Sequence, residues 1–219
     1  MRKGAGRYVV PKGPEAECEP GSSGRVLRNR LGIRRKKDMD GAEFAALLAA
    51  QTAYVERITP QTRFTSGLIC AMHRDWLAKI YEWAGRYRTV ELGKGGFRWP
   101  PAERVEANMA LFEKGLLARQ TPCRPGPVDD VARRIAEVHA ELLLIHPFRD
   151  GNGRLARWLA DLMALQAGLP TPAYGFTGRG ARERRRRYLD AVQRGYLQDY
   201  DDLTRFFAEA LTRRFGAGG

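Results

Sequence analysis

The stretch His146-Pro147-Phe148-Arg149-Asp150-Gly151-Asn152-Gly153-Arg154-Leu155-Ala156-Arg157 decides how this chain is organised. Apolar, helix-compatible runs lie on both sides of it, at 135–145 and 155–168. Between the two runs the composition changes to Pro, Asp, Gly, Asn and Gly, which is typical of a loop. Pro147 disfavours the helical conformation of the residue before it, so the first helix is predicted to end at His146. The sequence therefore predicts a tight loop that leads into the N-terminus of a second helix.

The glycines and arginines of this loop suit an anionic ligand. Gly151 and Gly153 allow the backbone to turn tightly and leave amide N–H groups to point at a ligand. The first turn of the following helix adds unpaired N–H groups and the positive end of the helix dipole. Arg154 and Arg157 are three residues apart, so both project from the same side of that turn, and their forked guanidinium groups suit phosphates. The loop therefore predicts a site for a ligand with several phosphates.

Two more side chains indicate which chemistry this site performs. Asp150 is a carboxylate of the kind that holds Mg²⁺ beside phosphates, and His146 can take up a proton near neutral pH. Taken singly, a histidine after an apolar helix is most often a cap or a packing residue, and a D-G-N-G run is most often a turn. A structural turn has no need of two arginines beside its glycines. The combination favours nucleotidyl or phosphoryl transfer.

The stretch from His146 to Arg157 resembles the signature of the Fic family, H-P-F-x-D/E-G-N-G-R-x-x-R, and matches every specified position. The upstream segment YEWAGRYR, at 81–88, is similar to the W-A-G-x-x-R element of the same family. The resemblance extends from about residue 29 to about residue 207. It implies an all-α fold, a compact helical bundle with a small β-hairpin flap over the active-site loop. It also implies a protein adenylyltransferase, which transfers AMP from ATP to a Ser, Thr or Tyr hydroxyl of a target protein and releases pyrophosphate.

The resemblance assigns roles to individual residues. His146 is expected to be the catalytic base for the target hydroxyl, and Asp150 is expected to hold Mg²⁺ at the α- and β-phosphates. Phe148 is expected to anchor the loop in the core. The α-phosphate is expected to meet backbone amides and the Asn152 side chain, and the β- and γ-phosphates are expected to meet the two arginines. The expected ATP phosphate-binding residues are Gly151, Asn152, Gly153, Arg154 and Arg157.

A second motif lies at 87–101, where two short alternating runs flank the glycine-rich centre LGKGG. Alternation around glycines predicts a β-hairpin, and Pro100-Pro101 would end its second strand. The alternative is an irregular surface loop. By the resemblance, this hairpin is the flap, which docks the backbone of the target protein as an added strand. The expected docking residues are Thr89, Val90, Glu91, Leu92, Gly93, Lys94, Gly95, Gly96 and Phe97.

The remainder of the sequence indicates how the chain is divided. A length of 219 residues, with 43% hydrophobic and 29% charged residues, is ordinary for one globular domain. Residues 1–28, rich in Gly, Pro, Ser and charge, are predicted to form a basic, extended N-terminal arm, and residues 29–219 a single Fic domain. No apolar run approaches the roughly 18 residues needed to cross a membrane, and no secretory signal is evident. Three widely spaced cysteines favour a reducing compartment, so a cytoplasmic location is expected.

Helical spacing of apolar residues predicts further helices, and two of their features bear on the site. Asp40 is predicted to cap the first helix, with Glu43 as its capping-box partner. His73 and His139 lie on apolar helices and are predicted to be packing residues. The predicted helices cover residues 40–57, 65–80, 102–117, 128–145, 181–195 and 201–214.

Regulation and charge leave alternatives open. The run from Thr52 to Arg57 matches only the first part of the family's inhibitory pattern, S/T-x-x-x-E-G/N, because Arg57 replaces the small final residue. An ordinary helix is favoured over a switch at Glu56, which leaves a separate antitoxin-like inhibitor or no such control. The net charge of +13 also suits a non-enzymatic, nucleic-acid-binding protein, although the Arg182–Arg187 run covers all sides of a helix and lacks interleaved aromatics. Related Fic chemistry, such as transfer of another nucleotide or of phosphate, or removal of AMP, is the other alternative.

Overall fold

The computed structural model describes residues 14–213 of the chain. Its two short strands, β1 (Gly93–Lys94) and β2 (Phe97–Arg98), pair antiparallel. A π-helical segment, Glu113–Leu117, joins α3 to α4. Among the described helices none is long and apolar enough to cross a membrane. The α-helices are α1 (Lys36–Arg57), α2 (Ser66–Leu77), α3 (Val105–Phe112), α4 (Ala118–Gln120), α5 (Val128–Ile145), α6 (Asn152–Gln166), α7 (Ala181–Gly195) and α8 (Asp201–Thr212). The predicted all-α class with one small hairpin is confirmed.

Local chemistry accounts for where the helices begin and end. Thr65 caps α2, since its side chain accepts the Leu68 N–H at 3.0 Å. Gly168, with φ of 75°, ends the helix that begins at the signature loop, and the Leu169 N–H donates to the Ala164 carbonyl in the Schellman pattern. The predicted cap at Asp40 is wrong, because α1 begins four residues earlier and Asp40 lies inside it.

Contacts divide the chain into two units, which the chain enters and leaves several times. Of the described residues, the first unit takes in 14–57, Thr65–Leu111 and Ile145–Leu155. The second takes in Ile58–Phe64, Phe112–Leu144 and 156–213. The core of the first unit includes Met39, Tyr54, Ile69, Met72, Trp76 and Phe148, all at most 2% exposed. The core of the second includes Val131, Ile135, Leu159, Met163, Leu203 and Phe207, all at most 1% exposed.

Part of the expected N-terminal arm belongs to the first unit. Val26 and Leu27 are 2% and 5% exposed, and Leu27 forms an isolated antiparallel bridge with Cys18. The Glu15 carbonyl accepts a hydrogen bond from Arg149 Nε at 2.6 Å. Residues 14–28 are therefore packed against the signature loop rather than extended, because burying Val26 and Leu27 favours a folded segment. Residues 1–13 of the expected arm lie outside the described part of the chain.

The hairpin lies within the predicted segment, but its first strand is displaced. Gly95 and Gly96, with φ of 58° and 85°, form a two-residue turn, and Lys94 pairs with Phe97 across it. Each strand is only two residues long; β1 lies inside the predicted glycine-rich loop, whereas β2 starts at Phe97, as predicted. The chain before β1 is irregular, although the Trp99 N–H still donates to the Leu92 carbonyl at 3.1 Å.

Candidate active site

His146 is held in an unusual backbone conformation in the first unit. Its φ of 52° lies in the left-handed region, which ends α5 and turns the chain into the loop. Arg88 Nε donates to its carbonyl at 2.8 Å, and the Arg88 N–H donates to the Pro147 carbonyl at 2.8 Å. The His146 ring is 4% exposed and lies 4.0 Å from the ring of Trp99, centroid to centroid. His146, the predicted base, therefore packs against Trp99, the residue that follows β2.

Arg88, the final residue of the W-A-G-x-x-R element, also ties the two ends of the hairpin segment together. Its side chain is buried at 2% exposure, and burial lowers the pKa of its guanidinium. Besides the His146 carbonyl, it donates to the carbonyls of Val90 at 2.9 Å and Pro100 at 2.5 Å. One guanidinium thus connects the signature loop with the residues before β1 and after β2. Arginine suits this position because its side chain carries several N–H donors.

Asn152 closes the loop from within. Its Oδ1 accepts the Phe148 N–H at 2.9 Å, and its Nδ2 donates to the Phe148 carbonyl at 2.7 Å. Both polar atoms are therefore engaged by the backbone, and the residue is 1% exposed. The side chain thus shapes the loop, and its expected contact with the α-phosphate stays a prediction. Phe148 itself is 0% exposed, as expected of the residue that anchors the loop.

His73 connects the two motifs. Its Nδ1 accepts the Gly85 N–H at 2.8 Å, so its proton is on Nε2, which donates to the Asp150 carbonyl at 3.1 Å. Its ring stacks on Phe148 with centroids 3.9 Å apart and planes 7° apart. Burial lowers the pKa of His73 to about 4, so the ring is neutral. The prediction of a packing residue is confirmed, and the packing also sets the position of the loop.

Two glycines of the motifs sit where no side chain fits. A Cβ at Gly85 would lie 2.5 Å from Cβ of Arg74, and one at Gly151 would lie 2.9 Å from the ring of Trp76. Both residues have φ near 80°, at 77° and 86°, which L-residues with side chains rarely adopt. The close approach of loop and α2 therefore depends on glycine at these positions.

Arg154 is held by a buried acid that the sequence did not reveal as part of the site. Its Nη1 lies 2.6 Å from Glu43 Oε2, and its guanidinium lies 4.6 Å from the Trp76 ring. Glu43 is 5% exposed, and its Oε1 accepts the Tyr81 hydroxyl at 2.6 Å. Glu43 is therefore not a capping-box residue. It neutralises and orients the first signature arginine, and this pairing across 111 residues has no local sequence signal.

Asp150 faces the same arginine. Its Oδ1 accepts the Gly151 N–H at 2.6 Å and lies 3.7 Å from Arg154 Nη2. Within residues 14–213 no group of three or more His, Cys, Asp or Glu side chains is arranged to hold a metal ion. A divalent cation at Asp150 would therefore need most of its oxygen ligands from a bound nucleotide and water, which is how Mg²⁺ is usually held beside phosphates.

Arg157 lies in the second unit, where aromatic rings surround it. Its guanidinium carbon is 6.0 Å from the ring of Tyr174 and 5.8 Å from that of Phe176. The Tyr174 hydroxyl is 3.0 Å from Asp161 Oδ1. Burial raises the pKa of Asp161 to about 7, against the opposing effects of Tyr174 and Arg157. The aromatic and acidic surroundings of the second signature arginine were not predicted from the sequence.

The hairpin presents a cleft of about 550 Å³, lined by residues of the segment from Glu91 to Pro101. Val90 and Leu92 are 4% and 2% exposed, so their side chains face the protein. The N–H and hydroxyl of Thr89 both bond the carboxylate of Glu15, at 3.3 and 3.1 Å. Lys94, at the tip, is exposed. Of the expected docking residues, only Val90 and Leu92 are buried, and Thr89 and Glu91 are exposed like Lys94, Gly95 and Gly96.

Residues 63–164 match the Fic/DOC family. A probable protein adenylyltransferase of Sinorhizobium fredii, y4lH, is 31% identical over 188 residues, which cover 85% of this chain and 90% of the relative. The probable protein adenylyltransferase Fic of Salmonella typhimurium is 28% identical, with 85% of this chain and 88% of the relative covered. This chain belongs to the Fic/DOC family.

Solved structures agree on the fold. The Fic domain of Bep8 from a Bartonella species superposes with a TM-score of 0.71 at 18% identity, covering 88% of this chain and 94% of that domain. BepC of Bartonella tribocorum, solved with bound AMPPNP, gives a TM-score of 0.66 at 19% identity, covering 84% and 91%. The resemblance drawn from the two sequence motifs is thereby confirmed at the level of family and fold.

Proposed function

We propose that this protein is a protein adenylyltransferase, which transfers AMP from ATP to a Ser, Thr or Tyr hydroxyl of a target protein and releases pyrophosphate. The observation that carries the proposal is the signature loop, in which the buried His146 packs against Trp99 and the chain then enters α6 with Arg154 in its first turn. The relatives named protein adenylyltransferase, which match over nearly their full length, support it.

His146 is the proposed base. It takes the proton of the target hydroxyl as the hydroxyl oxygen bonds to the α-phosphorus of ATP, while the bond from that phosphorus to the bridging oxygen of pyrophosphate breaks. Arg88 restrains the backbone of His146 and Trp99 packs against its ring, so little reorganisation is needed when the target arrives. Proton transfer to a positioned base typically contributes about 10²–10⁴-fold in rate.

The phosphates are proposed to bind at the start of α6. Gly151, Asn152 and Gly153 lie at the N-terminus of α6, where backbone N–H groups and the helix dipole favour anions. The Gly151 N–H already donates to Asp150 Oδ1, so the amides of Asn152 and Gly153 are the ones proposed to meet phosphate first, with Gly151 proposed to bring the backbone close to it. Glu43 occupies Nη1 of Arg154, so the Nη2 side of this guanidinium is the one proposed for phosphate. Arg157 is proposed to take a terminal phosphate.

Asp150 is the residue proposed to hold Mg²⁺, together with phosphate oxygens. When bound, the ion would neutralise charge that builds on the leaving pyrophosphate. The target protein is proposed to dock as an added strand on a free edge of the hairpin, beside the cleft that residues of this segment line. A separate, antitoxin-like inhibitor is the proposed form of control, because the inhibitory pattern at Thr52–Arg57 is incomplete. The cytoplasmic location is also proposed, supported by three cysteines without disulfides.

Two parallel incubations test the proposal. ATP labelled on the α-phosphate should leave label covalently attached to protein, on this chain or on a target, and ATP labelled on the γ-phosphate should not. Retained γ-label would indicate phosphate transfer, the related family chemistry, instead. Salt-dependent nucleic-acid binding with no turnover of either label would support the basic, non-enzymatic alternative.

A further inference from the structure

The two faces of the hairpin carry different side chains. In an antiparallel pair, residues directly opposite each other share a face, and successive residues alternate between faces. Gly93 pairs with Arg98, and a Cβ at Gly93 would lie 3.7 Å from Arg98 Cγ, as expected on a shared face. Lys94 pairs with Phe97, and the rings of Phe97 and Trp99 meet edge to face with centroids 5.2 Å apart. The hairpin therefore has one aromatic face, with Phe97 and Trp99, and one cationic face, with Arg98.

The aromatic face leads to the proposed base. The Trp99 ring lies 4.0 Å from the His146 ring, centroid to centroid, and it also packs against the buried pair Val90 and Leu92. Phe97 is half-buried and follows Trp99 in the direction of the hairpin tip. A chain that lies along the hairpin therefore meets His146 at the level of Trp99, and it meets Phe97 one step further from the base.

The edge of β2 offers main-chain groups for such a chain. Within the hairpin, the Trp99 N–H donates back to the Leu92 carbonyl at 3.1 Å. Bonded and non-bonded pairs alternate in an antiparallel ladder, so the N–H and carbonyl of Arg98 point away from β1. A strand added at this edge can exchange hydrogen bonds with Arg98. Pro100 and Pro101 have no N–H and end the pairing there, so Arg98 sets the register.

This register places three successive residues of a docked target segment. The target residue opposite Trp99 is the one whose side chain can reach His146, so it carries the hydroxyl that is modified. The next target residue lies opposite Arg98, on the cationic face. The one after it returns to the aromatic face, opposite Phe97, about 7 Å along the strand from the modified residue.

The charges along the cleft favour an acidic target residue. The charged residues among those that line it are Glu91, Lys94 and Arg98. Glu91 accepts the Ala102 N–H at 2.9 Å, whereas Lys94 and Arg98 are both exposed. A guanidinium fork matches the geometry of a carboxylate and can bind it with two hydrogen bonds. An acidic side chain on the cationic face of the docked segment therefore complements Arg98.

We propose that the hairpin selects target segments in which an acidic residue lies next to the modified hydroxyl residue, beside Arg98, and an apolar residue lies two positions from it, against Phe97. The inference rests on the proposed function, because it names the class of target segment for the same site. The direction of the added strand decides whether these residues precede or follow the hydroxyl. Phe97 and Arg98 are the specificity-determining residues, and Trp99 marks the position that is modified.

The test is the binding of fluorescently labelled peptides to the full-length protein, measured by fluorescence anisotropy without ATP. The core Leu-Glu-Thr-Glu-Leu, between Gly-Ser flanks, presents the pattern in both strand directions. Glu-Leu-Thr-Leu-Glu has the same composition with the positions exchanged. The first peptide should bind about tenfold more tightly, as expected for one hydrogen bond between charged groups. Equal affinities, or no binding of either peptide, would overturn the inference.

A reversal of charge assigns the effect to one residue. Arg98→Glu should prefer Leu-Lys-Thr-Lys-Leu over Leu-Glu-Thr-Glu-Leu, the opposite of the wild type. Arg104→Glu is the matched control, because Arg104 is also exposed, lies just after the hairpin, and its substitution changes the net charge equally. That control should keep the wild-type preference. The same reversal in both variants would show attraction by overall charge and would overturn the role of Arg98.

Phe97→Ser tests the apolar position separately. The wild type should bind Leu-Glu-Thr-Glu-Leu more tightly than Ser-Glu-Thr-Glu-Ser, and Phe97→Ser should bind the two alike while keeping the preference for Glu over Lys. A preference for leucine that persists in this variant would overturn the role of Phe97. Circular dichroism verifies that each variant is folded.

Adding ATP labelled on the α-phosphate separates this inference from the proposed function. Selective binding without transfer of label to peptide or protein would refute the proposed function and leave the docking preference standing. Equal labelling of the two exchanged peptides would support AMP transfer and refute the docking preference. Preferential labelling of the threonine in Leu-Glu-Thr-Glu-Leu is the result expected when both hold.

Discussion

Replacing Glu43 tests how the first signature arginine is held. The Glu43 carboxylate is 5% exposed, and it accepts from Arg154 Nη1 and from the Tyr81 hydroxyl, each at 2.6 Å. Burial and the neighbouring carboxylate raise the pKa of Tyr81, so its hydroxyl remains a donor. Glu43→Leu removes the acceptor for both groups and leaves a guanidinium, with 16% of its side chain exposed, without its main counter-charge.

The expected loss of stability follows from the burial of this pair. Removing one partner of a buried ion pair costs about 3–5 kcal/mol, because the remaining charge stays desolvated. Asp150, 3.7 Å from Nη2, offsets part of this cost, and the freed Tyr81 hydroxyl adds to it. Glu43→Leu should therefore lower the free energy of unfolding by about 4 kcal/mol. Glu43→Gln, which keeps one acceptor of the same shape, should lose about half as much.

Urea unfolding followed by circular dichroism measures both variants. Glu56→Leu is the matched control, since Glu56 is exposed on the same helix, and its substitution should change the free energy of unfolding by less than about 0.5 kcal/mol. If Glu43→Leu lost less than about 1 kcal/mol, or no more than the control, the claim that Glu43 holds Arg154 as a buried counter-ion would be wrong.

Two further predictions concern stability and the loop. The pKa of Asp161 in the folded protein is about 7, against an ordinary 3.8, so the folded state binds this proton more tightly than the unfolded state. The resulting stabilisation is fully present below about pH 4 and is lost as pH rises through 7. In the wild type, the free energy of unfolding should therefore fall by up to about 4 kcal/mol between pH 4 and 8 because of this group, and Asp161→Asn should remove that fall. Urea unfolding at each pH measures it, and an unchanged pH profile in the variant would contradict the prediction. Gly151→Ala should destabilise the protein by more than about 1 kcal/mol and weaken ATP binding, because its Cβ would lie 2.9 Å from the Trp76 ring at a φ of 86°. Gly41→Ala, with open space around it in α1, should be neutral or stabilising by about 1 kcal/mol, and equal effects at both glycines would refute the steric reasoning.

Local signals in the sequence were sufficient to place most helices. α7 spans 181–195 and α5 spans 128–145, as predicted, because apolar spacing and flanking proline or glycine residues mark their ends. The first strand of the hairpin was displaced because five residues at 92–96 offered several turn positions. Only the left-handed pair Gly95-Gly96 forms the two-residue turn that sets the register.

The sequence predicted which residues form the candidate site, but it predicted fewer of the contacts that these residues make. The signature identified His146 and Asp150, but a pattern of residue types does not state which polar atoms are already engaged. Asn152 therefore proved to bond the loop backbone. Glu43, which is 111 residues from Arg154, is brought to it only by the packing of the first unit. His139 was predicted as a packing residue from its place on an apolar helix. Its hydrogen bond with Tyr188 could not be foreseen, because the two residues are 49 positions apart.

The most direct test of the central claim compares wild-type protein with His146→Ala, using ATP labelled on the α-phosphate and an independent measurement of ATP affinity. The account predicts that the variant loses AMP transfer by at least about 10²-fold, because its base is gone, while its ATP affinity changes little. Equal transfer of label by both proteins would contradict the assignment of His146 and the proposed reaction mechanism with it.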